Sequence, residues 1–299
     1  LRRANGVQIG GGEVKIDPEY LKAINVKILT GKDGRMILMG EGGFSKIYKG
    51  IYEGEEVAVK IFKVTKGRSA KGNYGIGLQG FLNLKTAGYP KELNQFISGG
   101  AVKGNQFAIV MKIIPGEETF TILQTQVESG RGPFTEARAK QILSGALEYL
   151  IPLHAAGLVH RDIKLENFIT DTSKEPWETA VVDWDWVQSI QINNFKGTFD
   201  YLAPEILSAE VARRQPRAVG KNVFEGRPAD MFAIGVSLYI MVCVNYPWKE
   251  VKNPNKWTDS EKRSILERDS AHVKFPKHVS EGMKKIIISL LHNNPTDRL

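Results

Sequence analysis

From residue 35 to 63 the apolar positions fall in short runs that alternate in the strand manner. They are Met36-Ile37-Leu38-Met39, Ile47-Tyr48-Lys49-Gly50 and Val57-Ala58-Val59-Lys60-Ile61-Phe62. A further apolar strand, Phe107 to Ile114, stops at Pro115-Gly116, a dipeptide suited to a hinge. Beyond residue 118 the period becomes helical. Ala139, Ile142, Leu143, Ala146, Leu147 and Leu150 share one helix face, with Thr135 to cap it, Gly157 to close it and Pro152 to strain its last turns. Met231 to Val244 predicts a buried helix, too short to span a bilayer. Residues 1–34 are punctuated by glycine, with a short helical candidate around Pro18 to Ile24. Strands first and helices second predict an α+β chain in two lobes. The small β-rich lobe covers 35–111, the hinge 112–118 and the larger helical lobe 119–299, with 1–34 as an extension.

Composition changes this picture little. With 42% apolar and 25% charged residues among 299, the chain can bury a large core, and wholesale disorder is excluded. A net charge of +8 invites a nucleic-acid reading. The basic residues are dispersed, however, and neither an aromatic RNA-binding motif nor a finger spacing is present, so no nucleic-acid partner is expected. The one cysteine, Cys243, leaves no intrachain disulfide and no cysteine zinc cluster, which fits a reducing compartment. The chain opens at Leu1, so upstream sequence is expected to be missing. A soluble cytoplasmic protein and a secreted effector both fit.

The chemistry concentrates in His160-Arg161-Asp162-Ile163-Lys164-Leu165-Glu166-Asn167. Asp162 can accept a hydroxyl proton, Lys164 can neutralise a moving phosphoryl group, and Asn167 can ligate a metal ion. Gly40-Glu41-Gly42-Gly43-Phe44-Ser45-Lys46-Ile47 lies between two strand candidates, where glycines let backbone N–H groups approach phosphates. Lys60 follows on the next strand, on the same face as Ala58. Together these segments resemble the eukaryotic-type protein kinase family over about residues 35–299. Val181-Val182-Asp183, Gly197-Thr198 through Ala203-Pro204-Glu205, Asp230 through Gly235, Pro247-Trp248 and Asn294-Pro295-Thr296-Asp297-Arg298 match further family segments in order.

The resemblance implies a bilobal protein kinase-like fold and ATP- and Mg²⁺-dependent phosphorylation of serine and threonine in proteins. Asp162, Lys164, Lys60 and Thr198 become the candidate catalytic residues, with Asn167 and Asp183 as Mg²⁺ ligands. Gly40, Gly42, Gly43, Phe44, Ser45 and Lys60 are expected around the phosphates. Ile47, Ala58 and Ile169 are expected around the adenine, and Met111 at the back of that pocket. Lys112 and Ile113 would offer backbone groups to the purine edge, and Glu118 would stand near the ribose. Glu118 and Glu166 point to basic residues around the target site. Glu205 and Arg298 are expected to form a buried structural pair.

Three departures stand beside these matches. The family's first small-lobe helix carries a glutamate that pairs with the Lys60 position. Here Glu92 is the only glutamate between Lys60 and Gln106, and the expected glutamate position falls on Gly80. The segment Asn73 to Gly80 is also a poor helix former. The expected Asp-Phe-Gly reads Asp183-Trp184-Asp185, which makes Asp185 either an additional Mg²⁺ ligand or a surrogate partner for Lys60. The span from Asp183 to Thr198 offers only Ser189 for phosphorylation, with Asn194 where many relatives are phosphorylated. An insertion over 208–229 carries Arg213, Arg214, Arg217 and Lys221, a possible docking surface for an acidic partner. The alternative to an active kinase is a nucleotide-binding pseudokinase or allosteric scaffold with little turnover.

Overall fold

The alternating runs become a six-stranded antiparallel sheet in the computed structural model, which describes residues 16–102, 106–192, 196–213, 224–248 and 270–298. Its strands are β1 (Lys27–Ile28), β2 (Leu38–Glu41), β3 (Ser45–Tyr52), β4 (Glu55–Phe62), β5 (Phe96–Val102) and β6 (Gln106–Lys112). They lie in the order β1-β3-β4-β6-β5, with β2 also on β3. Glu53 and Gly54 both take positive φ, 52° and 89°, so a two-residue turn joins β3 to β4 with the twist a hairpin needs. On one face of β4 and β6, Val57, Val59, Ala108 and Val110 form a buried cluster covered by Ile24, Val26 and Ile28 of the N-terminal segment. Helix α1 (Ala70–Thr86) belongs to the same unit, capped by Ser69. It forms in spite of four glycines because Tyr74, Leu78, Phe81 and Leu84 are buried, and tertiary burial outweighs intrinsic propensity. The intrinsic helix propensity of Asn73 to Gly80 is low, as the sequence implies, and packing overrides it.

The chain leaves this smaller unit after Ile114, returns to it for Trp184–Val187, and otherwise builds a larger, helical unit. That unit contains β7 (Glu117–Glu118), β9 (Phe168–Asp171) and β10 (Glu178–Val181) in one small sheet, with β8 (Leu158–Val159) paired to β11 (Gln188–Ser189) and β12 (Gln191–Ile192) paired to β13 (Phe224–Glu225). Its helices are α2 (Thr119–Glu128), α3 (Glu136–Ala155), α4 (Pro204–Arg213), α5 (Arg227–Cys243) and α6 (Glu281–Leu290). In α3, capped by Thr135, the buried stripe is Ala139, Ile142, Ala146, Leu150 and Leu153, and the helix runs on through Pro152 to Ala155. Helix α5 is buried on every side from Phe232 to Cys243, the pattern of a central core helix. Gly235 lets α6 approach α5, since a β-carbon there would lie 2.8 Å from Leu290. No helix of the described residues is long and apolar enough to cross a membrane.

Candidate functional site

In the larger unit the segment His160–Asp162 is held by a carboxylate on α5. Asp230, 2% exposed, accepts hydrogen bonds from the backbone of His160 at 2.8 Å and Arg161 at 2.9 Å, and pairs with His154 Nε2 at 2.9 Å. Arg161 sits at φ 73°, a left-handed conformation that costs a non-glycine residue about 1–3 kcal/mol and persists only where its surroundings impose it. Burial opposes ionisation of Asp230, but the hydrogen bond and charge of His154 outweigh it and hold the carboxyl below its usual range. His160 is wholly buried, and burial pushes its pKa down despite the surrounding aspartates. Its Nδ1 accepts from the Asp162 amide and its Nε2 faces the Val182 carbonyl at 3.2 Å, which assigns the neutral tautomer with the proton on Nε2.

Asp162, expected as proton acceptor, is 7% exposed. Thr198 donates to its Oδ1 at 2.7 Å, and Lys164 to its Oδ2 at 2.9 Å. Lys164 also reaches the Thr198 hydroxyl at 3.0 Å, closing a three-residue ring. Burial works against the Lys164 ammonium, but the charges of Asp162 and Asp183 prevail and its pKa is raised. Gly197 makes the ring possible. At φ 111° it passes so close to Arg161 that a β-carbon would lie 2.4 Å from that carbonyl oxygen. Asn167 donates from Nδ2 to the Asp162 carbonyl at 2.7 Å, which leaves Oδ1 as the atom for a cation. The Val182 amide bonds the Asn167 carbonyl at 2.9 Å, tying Asn167 to the strand that leads into Asp183. Ile169 pairs in register with Glu118 across β9 and β7 in this same unit.

In the smaller unit the register puts Ile47 opposite Lys60 and Met111 opposite Ala58. Ile47, Ala58, Lys60 and Met111 thus share one sheet face, the reverse of the Val57–Val110 cluster. Lys60 is 4% exposed, not an outward strand lysine, and its ammonium bonds Asp185 Oδ1 at 2.7 Å. Around the glycine-rich turn, Gly42 donates to the Ser45 carbonyl at 3.0 Å, and Lys63 holds Gly42 and Glu41. Phe44 meets Trp186 edge-on at 6.4 Å. A β-carbon on Gly42 or Gly43 would meet nothing within 4 Å, so open space lies beside both residues, although the Gly42 N–H and carbonyl are already bonded within the turn. Lys112 is exposed at the end of β6, and Ile113, just beyond it, is half-buried.

The family model described as protein kinase domain matches residues 35–299. The chain belongs to the protein kinase family. It is 28% identical over 279 residues to a probable serine/threonine-protein kinase 2 of Plasmodium falciparum, covering 92% of this chain and 48% of that protein. It is 31% identical over 206 residues to serine/threonine-protein kinase SAPK5 of Oryza sativa subsp. japonica, covering 66% and 49%. It is 29% identical over 308 residues to serine/threonine-protein kinase pim-2 of Danio rerio, covering 96% and 87%. The chain thus spans about half the length of the first two relatives.

Within this kinase domain, α1 carries no acidic residue, and Glu92 lies beyond its end. Two contributors escaped the sequence reading. His154 gave no signal beyond its place on α3. Asp230 was legible only as the start of a motif, although a lone carboxylate opening an otherwise apolar helix signals a buried acceptor. Asn194 and the basic residues Arg214, Arg217 and Lys221 lie outside the described residues, as does the side chain of Arg213, so most of the basic stretch expected to dock an acidic partner is not described. Ser189 is exposed on β11.

Proposed function

We propose that this kinase domain transfers the γ-phosphoryl group of ATP to serine and threonine hydroxyls of proteins, with Asp162 receiving the hydroxyl proton. The observation that carries the reading is the ring of Asp162, Thr198 and Lys164. It presents a desolvated carboxylate at a fixed orientation, with a cation within 3.0 Å to offset charge on the moving phosphoryl. Lys60, Ile47, Ala58 and Met111 on one sheet face support nucleotide binding in the smaller unit, and Ile169 and Glu118 extend the proposed set. Among the described residues no three His, Cys, Asp or Glu side chains group to hold a metal. Mg²⁺ takes one or two protein ligands plus phosphate oxygens and water. Asn167 and Asp183 would hold it, and it would supply charge neutralisation on the phosphates. Glu118 and Glu166 support a substrate with basic residues near its target.

The reading is tested by incubating the purified chain with labelled ATP, Mg²⁺ and a generic basic protein. Transfer to serine or threonine is expected, and Asp162→Ala should lower it at least about 10²-fold. The second reading, a nucleotide-binding pseudokinase, draws on the lack of an acidic residue in α1. Nucleotide-induced stabilisation without transfer would establish it in place of the first.

A further inference from the structure

The four residues Trp184–Val187 are flanked in sequence by the larger unit yet belong to the smaller one. Trp184 is fully buried with its ring 5.5 Å from Tyr89. Trp186 meets Phe44 of the glycine-rich turn, and the Val187 carbonyl accepts from Asn83 of α1 at 2.7 Å. Asp185 meets Lys60 on β4. Two of the four glycines of α1, Gly77 and Gly80, are the imprint of this segment. A β-carbon on Gly80 would lie 1.9 Å from the Trp184 carbonyl oxygen, and one on Gly77 would lie 3.0 Å from Asp185 Oδ1 and 2.7 Å from Phe62. A glutamate at position 80, where the family pattern expects one, is therefore sterically barred.

We infer that Asp185 is the positioning residue for Lys60, taking over from α1 the task of holding that ammonium for the nucleotide phosphates. An ammonium only 4% exposed needs a counter-charge to stay ionised, and Asp185 at 2.7 Å is the carboxylate that α1 does not supply. The bare glycine face of α1 and the acidic residue two positions after Asp183 are then one adaptation. The glycines admit the segment, and the segment brings the carboxylate. In this arrangement the orientation of Lys60 follows the segment that comes directly after Asp183 in the chain, not a side chain on α1. The inference deepens the proposed phosphoryl transfer and rests on it for the role of Lys60.

The test is a double-mutant cycle of Asp185→Asn and Lys60→Met, read as kcat/KM for ATP, as nucleotide affinity and as the Mg²⁺ concentration for half-maximal rate. Asp185→Asn keeps an acceptor oxygen but removes the counter-charge, and should lower kcat/KM for ATP about 10- to 100-fold, the low end of what breaking a buried charge pair costs. The double variant should be no worse than Lys60→Met alone, and the Mg²⁺ requirement should stay unchanged. Near-wild-type constants for Asp185→Asn, additive losses, or a raised Mg²⁺ requirement with ATP affinity intact would each overturn the inference, the last by making Asp185 a metal ligand. Thermal melts identify unfolded variants. Should Asp185→Asn alone unfold, Asp185→Asn compared in the Lys60→Met background decides, because there the buried ammonium is gone. If the wild-type chain transfers no phosphate, the proposed activity fails, and the same cycle read as nucleotide affinity still decides the role of Asp185.

Discussion

Arg298 forks onto Glu205, with Nη1 bonding Oε1 at 2.8 Å and Nη2 bonding Oε2 at 3.1 Å. The arginine side chain is fully buried and the glutamate 11% exposed. The guanidinium also donates to the carbonyls of Pro228 and His292 and lies over the Phe232 ring. Glu205→Ala strands a buried cation and should destabilise the chain by about 3–5 kcal/mol. Glu205→Gln, which keeps a hydrogen-bond acceptor, should cost less. Chemical denaturation of the two variants checks the order; an alanine variant as stable as wild type would contradict it.

Gly80 and Gly282 both sit in helices, yet alanine should act on them with opposite sign. At Gly282 the nearest atom to a β-carbon is 3.8 Å away, so alanine gains helix propensity and stabilises by up to about 1 kcal/mol. At Gly80 the same gain is overwhelmed, because the Trp184 carbonyl stands where the β-carbon would go. Overpacking against backbone should cost about 1–3 kcal/mol or more. Melting temperatures of the two variants are expected to move in opposite directions.

Thr198 should be replaceable by serine but not by valine. Its hydroxyl donates to Asp162 and accepts from Lys164. Serine keeps both bonds, whereas valine removes them and leaves the carboxylate and the ammonium without their shared partner. A hydrogen bond to a charged group is worth about 1.5–3 kcal/mol, so the Thr198→Val rate should fall about 10- to 100-fold with the melting temperature much less affected. Equal kcat for the serine and valine variants would remove the hydroxyl from the site.

Acidification should destabilise the chain in two steps. Burial depresses the His160 pKa below its ordinary 6.5, so from there downward the unfolded chain takes up a proton that the folded chain refuses. Stability then falls with pH at up to about 1.4 kcal/mol per unit until the depressed folded pKa is reached. Asp230, held below its ordinary 3.8, adds a second loss as pH drops through that range. Denaturation midpoints between pH 4 and 8 test the first step, and His160→Phe should flatten the slope. A stability that stayed level from pH 7 to 5 would refute it.

Strands β2, β3, β4 and β6, the capped helix α3 and the buried helix α5 were legible because each is decided by a local period, a cap or a turn, whereas β1 and β5 were not. The residues of the Asp162 ring were legible through the family resemblance of His160–Asn167 and Gly197-Thr198, whereas the close approach of Gly197 to Arg161 emerges only in the fold. Helix α1 was only weakly legible because propensity is a local sum. Four glycines argue against a helix unless the reader knows what lies against them.

The sequence by itself determined the strands-first, helices-second order, the candidate residues for phosphate chemistry, and the lack of an acidic residue in α1. Only the tertiary structure decided which carboxylate meets Lys60, because Lys60 and Asp185 are 125 positions apart and no local signal spans that distance. It also decided that Asp230 clamps the backbone of His160 and Arg161. Long-range contacts of this kind are set by how whole elements pack, and a buried charge reveals its partner only once they have packed.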